Sequence, residues 1–287
     1  MKYLFWILTF NLLLQSTLKS SWNDVLETRR ELIMQNNCQL LLEQFEAFKA
    51  NNAPAIADAR IKAIPIVENH EPLVDVRAIN HKRIYMLSDP ATPFASPDHN
   101  AGFKSSSMMR ASVFEKLQNM LTCLDALTPH FGYRPGEIDI VVFEGLRDIL
   151  TQKTLFQNKR AEIQRERTDL NDEELDTETS KWVSPTKNNI PVHSTGAAVD
   201  IKLLSKGSLI DLGKFGAIWG ANPNAPTFSE DISDEQKNNR LLLLMAAKMA
   251  GLTNYLYEFW HFSFGDRYAA FWKNKDEEKV ARYNSIG

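Results

Sequence analysis

The sequence predicts a single α+β domain, and three observations lead there. Segments with helical spacing of apolar residues alternate with segments whose Pro, β-branched and aromatic content suits extended structure. No internal repeat is visible. No Pro/Gly/Ser-rich linker separates two folding units, and 287 residues suit one large domain. Hydrophobic residues make up 44% and charged residues 24%, which excludes a disordered chain, a collagen-like chain and a polytopic membrane protein. The net charge of −3 supplies no basic face, so binding of nucleic acid through its phosphates is not expected. The only cysteines, Cys38 and Cys123, exclude a disulfide-dense scaffold and a Cys-rich metal module. They can form one bridge or remain two buried thiols.

Taken in order, the chain opens with Lys2 and an apolar run over residues 3–14. The run is shorter than the roughly 20 residues a membrane span needs. A positive charge followed by a short apolar core reads as a signal peptide over residues 1–20, which predicts a periplasmic or secreted protein. The following QSTLKSS lacks a clean small-x-small cleavage site, so an uncleaved anchor stays open, as does an amphipathic helix of the fold. Residues 22–58 read mostly as helix, with Pro54 breaking it near the end. Residues 61–77 suit extended structure, and residues 88–107 a long surface loop. Helical spacing returns from Met109 to Leu127, and IDIVVFEG reads as a strand ending at Gly145. A charged helix is expected from Arg147 to about Arg167. The acidic stretch 168–180 reads as a solvated face or loop. VHSTGAAVDIKLL reads as two short apolar runs around a glycine turn, and residues 219–238 as a second long loop. RLLLLMAAKMAGL reads as a buried helix capped by Gly251, and the aromatic NYLYEFWHFSFGDRY as strand.

Three stretches can carry chemistry. In HSTGAAVD, His193 and Asp200 lie seven apart, with Gly196 between them to permit a tight turn that returns Asp200 toward His193. Imidazole and carboxylate are good zinc ligands, though a satisfied polar pair at a turn fits this stretch equally. In EFWH, His261 offers a third ligand; two His and one Asp leave a fourth tetrahedral position for water, the pattern of a catalytic zinc site. Glu258 would then take the proton from that water. In a regular strand residues three apart point to opposite faces, so the segment must bulge, bend or end there. The alternative for His261 is a histidine buried among aromatic side chains. In FEGLRD, Arg147 follows a strand and can face the site to stabilise an oxyanion, or it can be a surface arginine at a helix start. His70, His81, His99 and His130 suit solvated positions. There is no phosphate-binding glycine loop, no GxSxG elbow and no HExxH helix.

Together and in this order, these stretches resemble the D-alanyl-D-alanine dipeptidases, zinc peptidases that include the vancomycin-resistance dipeptidases. IPIVENHEPLVDVR (64–77), IDLGKFG (210–216) and NNRLLLLMAAKMAGLTNY (238–255) add to the likeness, which covers roughly residues 60–287. The resemblance implies an α+β fold with a central antiparallel sheet flanked by helices, shared with peptidoglycan D,D-carboxypeptidases. It implies one Zn2+ held by His193, Asp200 and His261, with Glu258 as catalytic base and Arg147 stabilising the transition state. It implies hydrolysis of D-Ala-D-Ala to two D-alanines, so that the expected partner is a small D-amino-acid dipeptide, with no nucleic acid and no stable membrane span once a signal is removed. The chain then divides into residues 1–20, an N-terminal helical segment 21–60 and a dipeptidase domain 61–287. A D,D-carboxypeptidase and a non-catalytic zinc or peptidoglycan-binding module are the alternatives; a binding module has no need of Glu258. The chain departs from the family pattern at Pro191, where a Ser is common, and lacks the Pro that often follows the arginine matched by Arg147.

Overall fold

The computed structural model describes residues 19–87, 107–180, 183–214, 222–274 and 276–286. The apolar run 3–14, nearly all of the expected loop 88–107, and His99 lie outside these residues.

The N-terminal segment expected to be mostly helix forms three short helices, α1 (Trp22–Thr28), α2 (Arg30–Gln35) and α3 (Leu40–Lys49). The chain breaks between α2 and α3 because Asn37 adopts a left-handed φ of 54°, a conformation that no helix continues through. Further along come α4 (Ala59–Lys62), β1 (Leu73–Asp75), α5 (Val76–Ile79), β2 (Ile84–Met86), β3 (Met108–Arg110), α6 (Ala111–Leu127) and β4 (Ile138–Glu144). Then follow α7 (Ile149–Glu166), α8 (Asp172–Ser180), β5 (Ala198–Ser205), β6 (Ser208–Leu209), α9 (Asp234–Met249), β7 (Thr253–Asn254), β8 (His261–Ser263) and α10 (Arg267–Phe271).

The main sheet runs β2-β4-β5-β8-β7, with β6 paired to β5; β1 and β3 form a separate antiparallel pair. Every pairing in the main sheet is antiparallel except β2 with β4. The fold is therefore α+β with a largely antiparallel central sheet. One face carries Ile138, Ile140 and Val142 of β4, Val199, Ile201 and Leu203 of β5, and Phe262 of β8. These bury against Val113, Leu117, Met120, Leu121 and Leu124 of α6 and Leu241–Ala247 of α9. The helical spacing in α6 is thus the spacing of a core-facing stripe. Trp22, Ile33, Leu41 and Phe45 of the N-terminal helices enter the same core. The opposite face is thinner: Val141, Phe143, Leu204 and Leu87 form a small cluster there, and Asp200 and His261 project from the same side.

Several elements differ from expectation. Helix α8 forms where a loop or solvated face was equally expected. The Asn171 side chain caps its start, accepting from the Glu173 and Glu174 amides at 3.0 Å, and Leu175 and Thr179, four apart, are buried. Helix α9 begins at Asp234, inside the expected loop, because Ser233 and Gln236 make a reciprocal capping box. The aromatic stretch 254–268 is strand only over β7's last residue and β8; turns and α10 occupy the rest. Cys38 and Cys123 are both free thiols, Cys38 buried and Cys123 partly so.

Candidate active site

Three neighbouring strands place one polar residue each in a single row. Glu144 of β4 stands opposite Asp200 of β5, and Asp200 stands opposite His261 of β8. Residues directly opposite one another share a face of the sheet. Glu144 joins this row through a break in register between Val142 and Glu144. In an unbroken strand it would share the core-facing side of Val142, two residues earlier. The slip turns it to the side of Asp200.

His193 arrives from outside the sheet, on the 3-10 turn Val192–Thr195, which Gly196 ends with φ 71°. A side chain at Gly196 would lie 2.9 Å from Leu73 Cδ2, so both the dihedral and the space require glycine. The Arg110 amide donates to Gly196 O at 2.8 Å, and Arg110 Nε donates to Thr195 O at 2.9 Å, so β3 holds the turn against β5.

His193 Nδ1 lies 2.8 Å from Gly145 O and donates to it. That leaves Nε2 as the lone-pair nitrogen, pointing into the cluster. Nε2 is 3.1 Å from His261 Nδ1 and 3.3 Å from Asp200 Oδ1, and His261 Nδ1 is 3.1 Å from the same oxygen. All three side chains are buried. Asp200 Oδ1 nevertheless makes no well-formed hydrogen bond. Among the described residues these three are the group able to hold a metal ion. Two imidazole nitrogens and a carboxylate oxygen converging on one point, with the oxygen otherwise unsatisfied, fit a divalent zinc site.

Glu258 reaches the cluster by a turn. The His261 amide donates to Glu258 O at 3.0 Å, so the chain reverses before β8 starts, and the obstacle of opposite strand faces does not arise. Glu258 Oε2 lies 3.7 Å from His261 Nδ1. Its side chain is 38% exposed against 3% for His261, which puts the carboxylate at the open side of the cluster.

Arg147 is no surface residue. Its guanidinium grips Glu144 with two prongs, Nε to Oε1 at 2.7 Å and Nη2 to Oε2, and Nη1 donates to Gln152 Oε1 at 2.8 Å. Its backbone amide donates to His193 O at 3.1 Å, tying the strand-to-helix loop to the turn that carries His193. Glu144 and Gln152 went unnoticed in the sequence. The available signal was a carboxylate closing a strand that is otherwise apolar at its buried end.

Electrostatics bind the group together. Burial disfavours a charged His193, but Asp200 and then Glu144 outweigh it and raise its pKa. Burial pushes Asp200 up, and the two histidines overcome that, holding the carboxyl well below the usual carboxylate range. Glu258 is raised, first by burial and then by the charge of Asp200, against the pull of His261, His193 and Arg147.

Residues 139–278, which include Glu144, Arg147, His193, Asp200, Glu258 and His261, match the peptidase M15 family model described as D-Ala-D-Ala dipeptidase. A D-alanyl-D-alanine dipeptidase of Synechocystis sp. is 29% identical over 248 residues, covering 78% of this chain and 95% of that protein. Two solved structures are more distant. The VanY D,D-pentapeptidase of a VanB-type vancomycin-resistance cassette, in complex with Zn(II), is 15% identical with a TM-score of 0.31, over 55% of this chain and 72% of its own. The LdcB LD-carboxypeptidase is 18% identical with a TM-score of 0.35, over 69% and 71%. Likeness at this level decides nothing about the site.

Proposed function

We propose that this chain is a zinc dipeptidase that hydrolyses D-alanyl-D-alanine, or a related D-amino-acid dipeptide, in the turnover of cell-wall peptides. The observation that carries the reading is the convergence of His193 Nε2, Asp200 Oδ1 and His261 Nδ1 within 3.3 Å of one another, with Glu258 Oε2 3.7 Å from the last. The family match supports the reaction class, and the Synechocystis relative supports the substrate.

His193, Asp200 and His261 would hold the zinc, and the ion would supply a polarised, more acidic water. Glu258 accepts a proton on its carboxylate and hands it to the amine nitrogen that leaves when the peptide bond breaks. Its raised pKa makes the carboxylate a better proton acceptor than an ordinary glutamate. Arg147 uses three of its five N–H groups on Glu144 and Gln152 among the described residues, which leaves two for the oxygen that gains negative charge. Glu144 fixes the plane of the fork.

The deciding experiment measures D-alanine release from D-Ala-D-Ala with and without a zinc chelator, beside a stem pentapeptide ending in D-Ala-D-Ala. Chelator-sensitive release from the free dipeptide alone is expected. Release only from the pentapeptide would make the protein a D,D-carboxypeptidase, and release from neither would sink the reading. Export belongs to the same proposal, on the strength of Lys2 and the apolar run 3–14. A mature N-terminus near residue 21 in the periplasm is the expected finding, and an intact N-terminus in the cytosol would overturn it.

A further inference from the structure

The turn that carries Glu258 and His261 has its own anchor. Asn254, at the end of β7, is 4% exposed. Its Nδ2 donates to His261 O at 3.0 Å and to Glu258 O at 3.2 Å, with Phe259 O at 3.4 Å. One amide group thus touches the backbone of both the expected base and an expected metal ligand. The other end of the amide is fixed as well: the Thr227 hydroxyl donates to Asn254 Oδ1 at 2.6 Å. A hydroxyl donating at one end and carbonyls accepting at the other permit a single orientation of the amide.

Thr227 is held in turn. The Thr227 amide donates to Leu256 O at 2.9 Å and the Phe259 amide donates to Ala225 O at 3.0 Å, which zips the loop 222–233 to the turn. Arg240 of α9, fully buried, donates to Asn224 O at 2.6 Å, Leu212 O at 2.7 Å, Pro226 O at 2.8 Å and Thr227 O at 3.2 Å. Its guanidinium also lies 3.8 Å from the centre of the Phe259 ring. A path of hydrogen bonds therefore runs from the core helix α9 through the loop and Thr227 to Asn254, and ends on the turn.

We propose that Asn254, oriented by Thr227, is the positioning residue that sets Glu258 and His261 at their working separation. The proposal rests on the dipeptidase reading for its effect on turnover. Its structural content stands apart, because backbone order and zinc affinity are measurable whatever the substrate. Asn254 touches no substrate; it acts through the two residues whose carbonyls it holds. Groups that orient metal ligands from behind are typically worth about 10–100-fold in metal affinity or activity.

The test compares Asn254→Ala, Thr227→Val and Thr227→Ser by hydrogen exchange, zinc affinity from competition with a chromogenic chelator, and steady-state kinetics. Thr227→Val keeps the volume and removes the hydroxyl; Thr227→Ser keeps the hydroxyl. The expected result in Asn254→Ala and Thr227→Val is faster exchange confined to the amides of 255–262, zinc affinity down about tenfold or more, and kcat reduced with KM nearly unchanged. Thr227→Ser should behave as wild type. If Asn254→Ala does not fold, Thr227→Val against Thr227→Ser carries the test alone. Wild-type exchange and zinc affinity in Thr227→Val would overturn the proposal. So would exchange accelerated equally in β4 and α9, which would make these residues ordinary members of the core. A wild-type protein that hydrolyses no dipeptide would remove the dipeptidase reading and leave the exchange and zinc results to decide this one.

Discussion

Glu144 and Asp200 stand opposite one another across β4 and β5, one residue out of the register that the rest of the pair keeps. The slip brings a carboxylate to the side of the sheet that bears the His193–Asp200–His261 cluster, where it holds Arg147 by two hydrogen bonds. Two carboxylates in one row repel, and the arginine between the strand end and α7 offsets that repulsion. The same geometry aims the guanidinium, so the bulge is where strand pairing turns into chemistry.

Arg147→Ala should therefore lower kcat by about 100-fold or more, in the range of a lost oxyanion donor, with a smaller change in KM. Arg147→Lys should not recover it, because a single ammonium cannot reproduce the fork held by Glu144. Glu144→Gln should give a smaller kcat loss, and combining it with Arg147→Ala should add little, since the two act as a unit. Steady-state kinetics on the three variants and the double variant check this. Fully additive losses would mean that Glu144 does not act through Arg147.

The metal assignment has a compositional test. Purified protein should carry about one zinc per chain, and His193→Ala, Asp200→Ala and His261→Ala should each lose most of it, as read by elemental analysis. Asp200→Ala should also lower the stability of the metal-free protein toward acid pH, where it removes the partner of a charged His193. Full occupancy in any of the three variants would remove that residue from the ligand set.

Much of the site was legible because its residues sit in short, dense stretches. His193, Gly196 and Asp200 fall within eight positions, and the glycine announces the turn that folds them together. What the sequence hides is register and long-range anchoring. The bulge at Glu144 depends on how β4 meets β5, and nothing in IDIVVFE marks where pairing slips. The stretch 258–261 looks like strand from its aromatic content; it is a turn whose Glu258 and His261 carbonyls accept from Asn254 Nδ2, an amide held at its other end by the hydroxyl of Thr227, 27 positions away. The N-terminal break at Asn37 rests on one left-handed residue, a choice that periodicity does not register. Fold class survived these local differences because α6, β4 and α9 keep unambiguous apolar patterns.

The pH behaviour of the cluster follows from the sign of one shift. In the metal-free protein His193 has a pKa raised above 6.5, burial opposing and Asp200 prevailing. The protonated pair therefore stabilises the fold fully below the unfolded value of 6.5, and the contribution is lost as pH rises through the raised folded value. Zinc binds the deprotonated imidazole and must displace that proton. The gain in melting temperature on adding zinc should thus grow as pH rises from about 6 to about 8. Zinc uptake near pH 6 should release more protons than at pH 8, as measured by calorimetry in buffers of different ionisation enthalpy. A zinc-induced gain independent of pH would show that His193 is not a ligand.

The sharpest test of mechanism separates the base from the ligands. Glu258 sits three residues before His261, with its oxygen 3.7 Å from the ligand nitrogen and its side chain 38% exposed where the ligands are buried. That placement suits a carboxylate that faces a water and the substrate at the mouth of the cluster. Glu258→Gln keeps the shape, the turn and the backbone contacts of Asn254, and removes only basicity. Zinc content should stay near one per chain and the melting temperature should be close to wild type. Activity on the dipeptide should fall by at least about 100-fold, in line with a lost general base. Zinc lost together with activity would make Glu258 a ligand, or a support for one. Zinc bound with activity intact would place the base on another residue, and the exposure of Glu258 would then be no more than that of a carboxylate at the edge of a turn.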